Sequence, residues 1–399
     1  MNNKIKDIDY IKKKRKFNYG NILKPMQHKP DNILKPMQHK PDNILFYKNY
    51  DYKKPNTKLP ALNNSLGKTN FYKDPLPSIN DNKKNKVYYK SKNPYYYGRM
   101  NGNLNIGDDI GDRYEVKEKI SRGAFGIVLS CYDHKNKEMV AIKCPAKNDY
   151  NKLIKIEGEI YHKVGDDNPY IMNVKKFITH NYKNYLVMEK LDKNLYLWRS
   201  KNTPSIKDIK LIITQILKGI KFLHDKNIVH GDLKLENIVF SDNEYKNLKI
   251  ADLGNSMFVH ELNNYSLLQT RYYRAPEVIL QTNKDKGIDI WSIGCVISEL
   301  ITGTPLFFGK TDNTQLYSIM EYLGTPPDNM IQNSRVRTYY FNYYNNKPKG
   351  HYGNYIKTKS LNRLFKDSTL IDLLNKTFKY DPKERITIDE LINHKWFIV

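Results

Sequence analysis

Residues 114–397 predict an α+β fold in two lobes, a small strand-rich lobe over about 114–188 and a larger helix-rich lobe over about 192–397. The first observation behind this is a run of short strand patterns. Tyr114–Ile120 largely alternates apolar and polar residues, as a half-buried strand does. A glycine-containing turn separates it from Ile127–Tyr132, and a short turn at Asp133–Glu138 leads into Met139–Lys143. The second observation is the change of period that follows. Lys152–Val164 reads as a helix, and from Ile206 onward the helical period dominates. Leu211, Ile212, Gln215, Ile216, Gly219, Ile220 and Leu223 trace one mainly apolar face. Strands gathered first and helices second place any ligand in the cleft between two lobes.

The third observation is that residues 1–112 stand apart. They hold 23 Lys/Arg against 10 Asp/Glu, are crowded with Asn, Pro and Tyr, and show no apolar period. Such a segment cannot bury enough apolar surface to offset chain entropy, so residues 1–105 are expected to be a disordered basic tail. Order is expected to start near Arg113. The tail contains a repeat: Asn21–Asp31 (NILKPMQHKPD) recurs unchanged at Asn32–Asp42, and Asn43-Ile44-Leu45 begins a third copy. Two proline-bearing copies cannot stack as a solenoid does. A duplication within an unstructured tail is the plain reading, and a docking motif made bivalent, with docking partners of its own, is the alternative. The run Lys12-Lys13-Lys14-Arg15-Lys16 has the composition of a nuclear-import signal or a nucleic-acid contact, although a lysine-rich tail also produces such runs.

Charge and cysteines narrow the class further. The net charge of +25 divides as +13 over residues 1–112 and +12 over the rest, so neither part is acidic and anionic partners are favoured. Cys131, Cys144 and Cys295 form neither a disulfide framework nor a CxxC metal pair, which points to a reducing compartment. The N-terminus is polar and basic with no apolar leader, and no run of apolar residues reaches membrane-spanning length. The expectation is a soluble intracellular protein of cytoplasm or nucleus, with no membrane partner.

The chemistry-bearing residues sit at the joints of the pattern. Ile120-Ser121-Arg122-Gly123-Ala124-Phe125-Gly126-Ile127-Val128 lies between two strands, where glycines let backbone N–H groups approach phosphates. The next strand carries Val140-Ala141-Ile142-Lys143, and a lysine at the end of a buried strand needs an anion. A phosphate opposite the glycine turn supplies one, and Glu157 in the following helix can hold the lysine in place. The most specific run is His230-Gly231-Asp232-Leu233-Lys234-Leu235-Glu236-Asn237, followed by Ala251-Asp252-Leu253-Gly254. Phosphoryl transfer asks a protein for position and charge compensation. Asp232 suits a residue that accepts the hydrogen bond of an attacking hydroxyl, and Lys234 one that neutralises charge on the moving phosphoryl group. Asn237 and Asp252 offer hard oxygen ligands suited to Mg²⁺.

Taken in this order, these residues resemble the signature set of the eukaryotic protein kinases over about Arg113 to Phe397. Ala275-Pro276-Glu277, Asp289-Ile290-Trp291-Ser292-Ile293-Gly294 and Arg385, similar to the family's partner for Glu277, extend the match. The resemblance implies a serine/threonine protein kinase with ATP and Mg²⁺ as cofactors and proteins bearing Ser/Thr acceptors as substrates. It implies Asp232 and Lys234 as catalytic residues and Asn237 and Asp252 as metal ligands. The nucleotide is expected on the whole turn Ile120–Val128, Ala141, Lys143, Glu157, Met188, Glu189 and Leu191. Thr270 and Lys234 resemble the markers of serine/threonine specificity.

Within the superfamily, Arg271-Tyr272-Tyr273-Arg274-Ala275-Pro276-Glu277 and Gln315-Leu316 with Leu323-Gly324-Thr325-Pro326-Pro327 resemble the group of cyclin-dependent, MAP, cyclin-dependent-like and dual-specificity tyrosine-regulated kinases. Asp112-Arg113-Tyr114-Glu115-Val116, Tyr132-Asp133-His134-Lys135, Met172-Asn173-Val174 and Asn194-Leu195-Tyr196 resemble the last of these. Ile250-Ala251-Asp252-Leu253-Gly254-Asn255 is more similar to the SR-protein kinases, which stay open as a second subfamily. Three positions depart from the pattern. Ser121 replaces a glycine, Gly231 stands where most kinases carry a phosphate-clamping arginine, and Leu267 occupies the place of an activating tyrosine, with Tyr265 two residues earlier. These departures predict activity without a phosphorylated loop. A silent scaffold of the same fold is the rival reading, opposed by the presence of Lys143, Asp232 and Asp252. A nucleic-acid-binding protein is the other rival, and it lacks a recognition motif.

Overall fold

The computed structural model describes residues 104–123, 125–166, 168–349 and 356–398. Residues 1–103 of the expected tail, with its repeat and lysine run, and Ala124 of the glycine turn lie outside the described residues, whereas Leu104 and Asn105, also expected in the tail, belong to the ordered lobe.

Six antiparallel strands build the small lobe in the order β1-β2-β3-β4-β6-β5. They are β1 (Asp109–Ile110), β2 (Tyr114–Arg122), β3 (Gly126–Asp133), β4 (Glu138–Pro145), β5 (Val174–His180) and β6 (Lys183–Glu189). Alternation assigns the two faces of the sheet. Val140, Ile142 and Cys144 of β4 join Ile127, Leu129, Cys131, Tyr185 and Val187 in a core on one face. Ala141, Leu186 and Met188 point the other way and belong to a second, larger core. Lys143 falls between Ile142 and Cys144 and therefore faces with Ala141 toward the helix α1 (Asn151–Val164).

A strand ahead of Arg113 was not expected. Ile110 pairs with Tyr114 and is fully buried, and Leu104 packs on the same core. The backbone is tied down as well, since Gly107 donates to the Val116 carbonyl at 2.8 Å and Val116 donates to that of Asp108 at 2.9 Å. The strap escapes a pattern reading because Gly, Asn and Asp surround its few apolar residues. Ile110→Ala is expected to cost about 2–5 kcal/mol by transfer and cavity terms, measured by denaturant unfolding. An unchanged midpoint would show that the strap adds nothing to the lobe.

In the large lobe, α2 (Ile206–Asp225) starts at a capping box in which Ser205 and Asp208 satisfy each other's backbone N–H groups. Its inward face carries Ile212, Ile213, Ile216, Ile220 and Leu223. α3 (Gly287–Thr302) is mostly apolar and buried on nearly every side, as a central helix must be, with Asp289, Ser292, Ser298 and Glu299 as its buried polar residues. Gly294 fits there because a Cβ would stand 2.6 Å from Thr377 Cγ2 and 2.8 Å from Phe378 Cε1. α4 (Asp312–Leu323) and α5 (Ser368–Thr377) complete the framework used below. No described helix is long and apolar enough to cross a membrane.

Candidate active site

Lys143 is the pivot of the cleft. Its Nζ lies 2.7 Å from Glu157 Oε2 on α1 and 2.7 Å from Asp252 Oδ1, so one ammonium joins β4, α1 and the Asp252 turn. Burial alone would lower the lysine's pKa, and the two carboxylates outweigh it and hold the ammonium charged. Burial pushes the Glu157 carboxyl up to about 7, with Lys143 pulling against it. Asp252 goes the other way: against its own desolvation, the adjacent Lys143 keeps its carboxyl well below the usual range. Asp252 takes a left-handed backbone (φ +63°), and its side chain remains 44% exposed, open to the cleft. Gly126 lies directly above, where a Cβ would stand 3.1 Å from Lys143 Cε and 3.2 Å from the Cys144 carbonyl. That close approach is why the turn keeps a glycine here.

The acceptor side is organised by a buried aspartate on α3. Asp289 accepts from the backbone N–H of His230 at 2.8 Å and of Gly231 at 3.0 Å, and its Oδ2 lies 2.9 Å from His224 Nε2. It stays ionised although fully buried, because these partners compensate the desolvation that opposes it. Gly231 adopts φ +73°, and a Cβ there would meet the Asn255 carbonyl at 2.8 Å. The missing arginine is thus a backbone matter too: this turn is built for glycine. Beyond it, Asp232 Oδ2 accepts from Lys234 Nζ at 2.8 Å. Its Oδ1 accepts from both the N–H and the hydroxyl of Thr270, each at 2.7 Å. Asn237 Nδ2 donates to the Asp232 carbonyl at 2.9 Å, and Ala251 N–H donates to the Asn237 carbonyl at 2.8 Å. These bonds tie the metal-ligand candidate Asn237 to Asp232 and to the Ala251-Asp252 turn.

The nucleotide-binding expectations divide. Val128 pairs with Lys143 and packs against the larger core, on the cleft side. Ile127 faces the opposite core and offers the cleft no side chain, because adjacent strand residues alternate. Ile120, Ser121 and Arg122 are exposed at the end of β2, and Gly123 closes the turn by donating to the Gly126 carbonyl at 2.8 Å. Phe125 packs edge-on against Tyr150. Ala141 and Met188 are buried partners across β4 and β6, and Leu191 is half-buried against the large core. Glu189 corrects its assignment as far as the side chain goes. Its Oε1 accepts from Lys249 Nζ at 2.7 Å and from the Asn173 N–H at 2.6 Å. A carboxylate so engaged is a structural link between the lobes, and only its backbone remains for a nucleotide.

Sequence reasoning left Gln269, Asn255 and Asp289 out of the site. Asn255 Nδ2 lies 3.4 Å from Asp232 Oδ2, and Gln269 N–H donates to the Gly231 carbonyl at 3.0 Å. Asp289 was read as part of a helix motif, and its proximity to His230 follows from the fold alone. Deeper still, Tyr273 donates its hydroxyl to Glu299 Oε2. Burial, with Glu236 nearby, pushes the Glu299 carboxyl up to about 8. A raised folded pKa stabilises fully below the unfolded value near 4.5, and this contribution is lost as pH rises through about 8. Glu299→Gln, which mimics the protonated acid, should flatten the fall of Tm between pH 5 and 8.5 that the parent shows. Parallel pH profiles for the two proteins would count against a protonated Glu299.

The protein kinase domain family matches residues 114–397. The chain is 36% identical over 315 residues to serine/threonine-protein kinase ppk5 of Schizosaccharomyces pombe, covering 73% of this chain and 36% of that protein. It is 36% identical over 308 residues to human dual specificity tyrosine-phosphorylation-regulated kinase 4, covering 73% and 58%. It is 31% identical over 342 residues to serine/threonine-protein kinase AFC1 of Arabidopsis thaliana, covering 73% and 72%. The chain thus spans from about a third to about three fifths of the length of the first two relatives. It belongs to the protein kinase family, in the group that holds the dual-specificity tyrosine-phosphorylation-regulated kinases.

Proposed function

We propose that this chain transfers the γ-phosphoryl group of ATP to serine and threonine hydroxyls of other proteins. The observation that carries the reading is the assembled pair of anchors, Lys143 on Glu157 and Asp252 at one side and Asp232 on Thr270 and Lys234 at the other. A silent scaffold has no use for both. In this reading the bond between the γ-phosphorus and the bridging oxygen of ADP breaks, and a bond from phosphorus to the acceptor oxygen forms. Asp232 orients the acceptor hydroxyl and receives its proton, while Lys234 compensates charge on the moving group. Lys143 binds the nucleotide phosphates once they enter, with Glu157 fixing its position.

The donor set fits Mg²⁺: a depressed, half-open carboxylate at Asp252 and the amide of Asn237 are hard oxygen ligands, too few for an all-protein cage and enough for an ion shared with phosphates. When bound there, the metal would supply charge neutralisation to the nucleotide phosphates, held by Asp252 and Asn237. Among the described residues no cluster of three or more His, Cys, Asp or Glu offers an alternative centre.

The reading includes activity without a loop phosphate. Gly231 has no side chain to clamp one, Leu267 cannot carry one, and Tyr265 is buried. The test uses enzyme expressed in a host lacking other kinases and assayed on a peptide array with labelled ATP, before and after phosphatase. Labelled serine or threonine, at rates that phosphatase leaves within about threefold, is the expected result, also for Tyr265→Phe and Ser266→Ala. No incorporation would end the kinase reading. A drop of about tenfold or more, about 1.4 kcal/mol of barrier, would end only the phosphate-independent part.

A further inference from the structure

Thr270 reaches Asp232, so whatever fastens the segment Leu268–Ala275 fastens the acceptor end of the site. This segment holds a costly conformation. Gln269 is a non-glycine residue at φ +63°, which its own contacts must over-determine. Its buried amide donates to the Ile288 carbonyl at 2.8 Å and to Ser292 Oγ at 2.8 Å, and accepts from Ala275 N–H at 3.0 Å. The second fastener is Arg274, whose Nε donates to the Leu268 carbonyl and whose Nη2 donates to the Gln269 carbonyl, each at 2.9 Å.

Arg274 is a guanidinium with only 7% of its side chain exposed, and a buried charge of this kind persists only beside an anion. Tyr265–Ala275 contains two arginines and no acidic residue, so the anion has to come from elsewhere. It comes from α4. Asp312 Oδ1 pairs with Arg274 Nη1 and also with Arg271 Nε at 3.3 Å. A continuous chain of bonds then runs from Asp312 through Arg274 to the Leu268 and Gln269 carbonyls, and from the adjoining Thr270 to Asp232.

We propose that Asp312 is a positioning residue for phosphoryl transfer: a permanent carboxylate, contributed by the helix after the loop, that takes the place a loop phosphate would occupy on Arg271 and Arg274. This rests on the kinase reading above and supplies its missing part, an anion that needs no modification. A carboxylate on a helix whose first turn is capped by Thr311 is already in position, so the loop orders when the chain folds.

The test compares Asp312→Glu, Asp312→Asn and Asp312→Ala, all phosphatase-treated, in turnover and in hydrogen exchange of the 268–274 amides. Asp312→Asn and Asp312→Ala are expected to lose about tenfold or more in kcat/KM for the protein substrate, with KM for ATP unchanged, while Asp312→Glu stays within about threefold. Exchange at 268–274 should rise by about tenfold or more in the alanine variant. Sodium formate, compared with chloride at equal ionic strength, should restore part of that variant's activity, which a purely structural role would not allow. An asparagine variant as active as the parent would overturn the proposal. So would a loss of activity with exchange at 268–274 unchanged, or an equal loss in Asp312→Glu and Asp312→Ala. If the parent itself transfers no phosphate, the kinase reading fails, and the exchange measurement still decides whether Asp312 orders the loop.

Discussion

Asp232→Asn is expected to lower kcat on a protein substrate by about three orders of magnitude while leaving Tm within about 2 °C of the parent. The asparagine has the same shape and one carbonyl oxygen, so some of the hydrogen bonds from Thr270 and Lys234 survive. The negative charge and the proton acceptor do not. Lys143→Met and Asp252→Asn should fall similarly, for separable reasons. Removing Lys143 leaves Glu157, 2% exposed, without its cation, and it will then stay protonated at neutral pH. Changing Asp252 removes the charge that holds Lys143 and that, in the kinase reading, would hold the metal ion. The measurement is single-turnover labelling with each variant beside its thermal melt. Near-parental turnover in Asp232→Asn would show the acceptor assignment to be wrong, whatever the other two variants do.

The second large effect is on stability. Arg385→Met is expected to cost about 3–5 kcal/mol, and Glu277→Gln a comparable amount. The pair is fully buried, with Nη1 to Oε1 at 2.7 Å and Nη2 to Oε2 at 3.1 Å. Arg385 also donates to the Gly287 carbonyl at 2.6 Å and the Lys379 carbonyl at 2.7 Å, and its guanidinium lies 5.2 Å from the centre of the Trp291 ring. Either single change strands a charge or two carbonyls in a dry interior. The double variant removes both charges, so its loss should be smaller than the sum of the singles by about 2 kcal/mol or more. Denaturant unfolding of the four proteins decides this, and strict additivity would mean that the two residues do not act as a pair.

The two-lobed fold and most of the site were legible in the sequence because they rest on short-range facts. Strand alternation in Tyr114–Ile120 and the helical face from Leu211 to Leu223 report which side of an element is buried. The order of Lys143, Glu157, Asp232, Asn237 and Asp252 reports a chemistry that admits few arrangements. The sequence pairs Lys143 with Glu157, and the structure has that pair and adds a second carboxylate, Asp252, on the same ammonium. The glycine at 231 could be read as a missing arginine, although not as the left-handed turn against Asn255 that excludes a side chain.

What the tertiary structure alone decided is which partner each polar group finds. Glu189 reads as a nucleotide contact, yet its carboxylate is bound by Lys249, sixty residues away. Ile127 belongs to the glycine turn by position and to the opposite core by the phase of its strand. Arg274 and Asp312 stand 38 residues apart and carry no shared motif, so nothing local announces that one neutralises the other. The physical reason is the same in each case. Hydrophobic burial is read from the period of a single element, whereas a buried charge takes its partner from whichever element the completed fold brings to it.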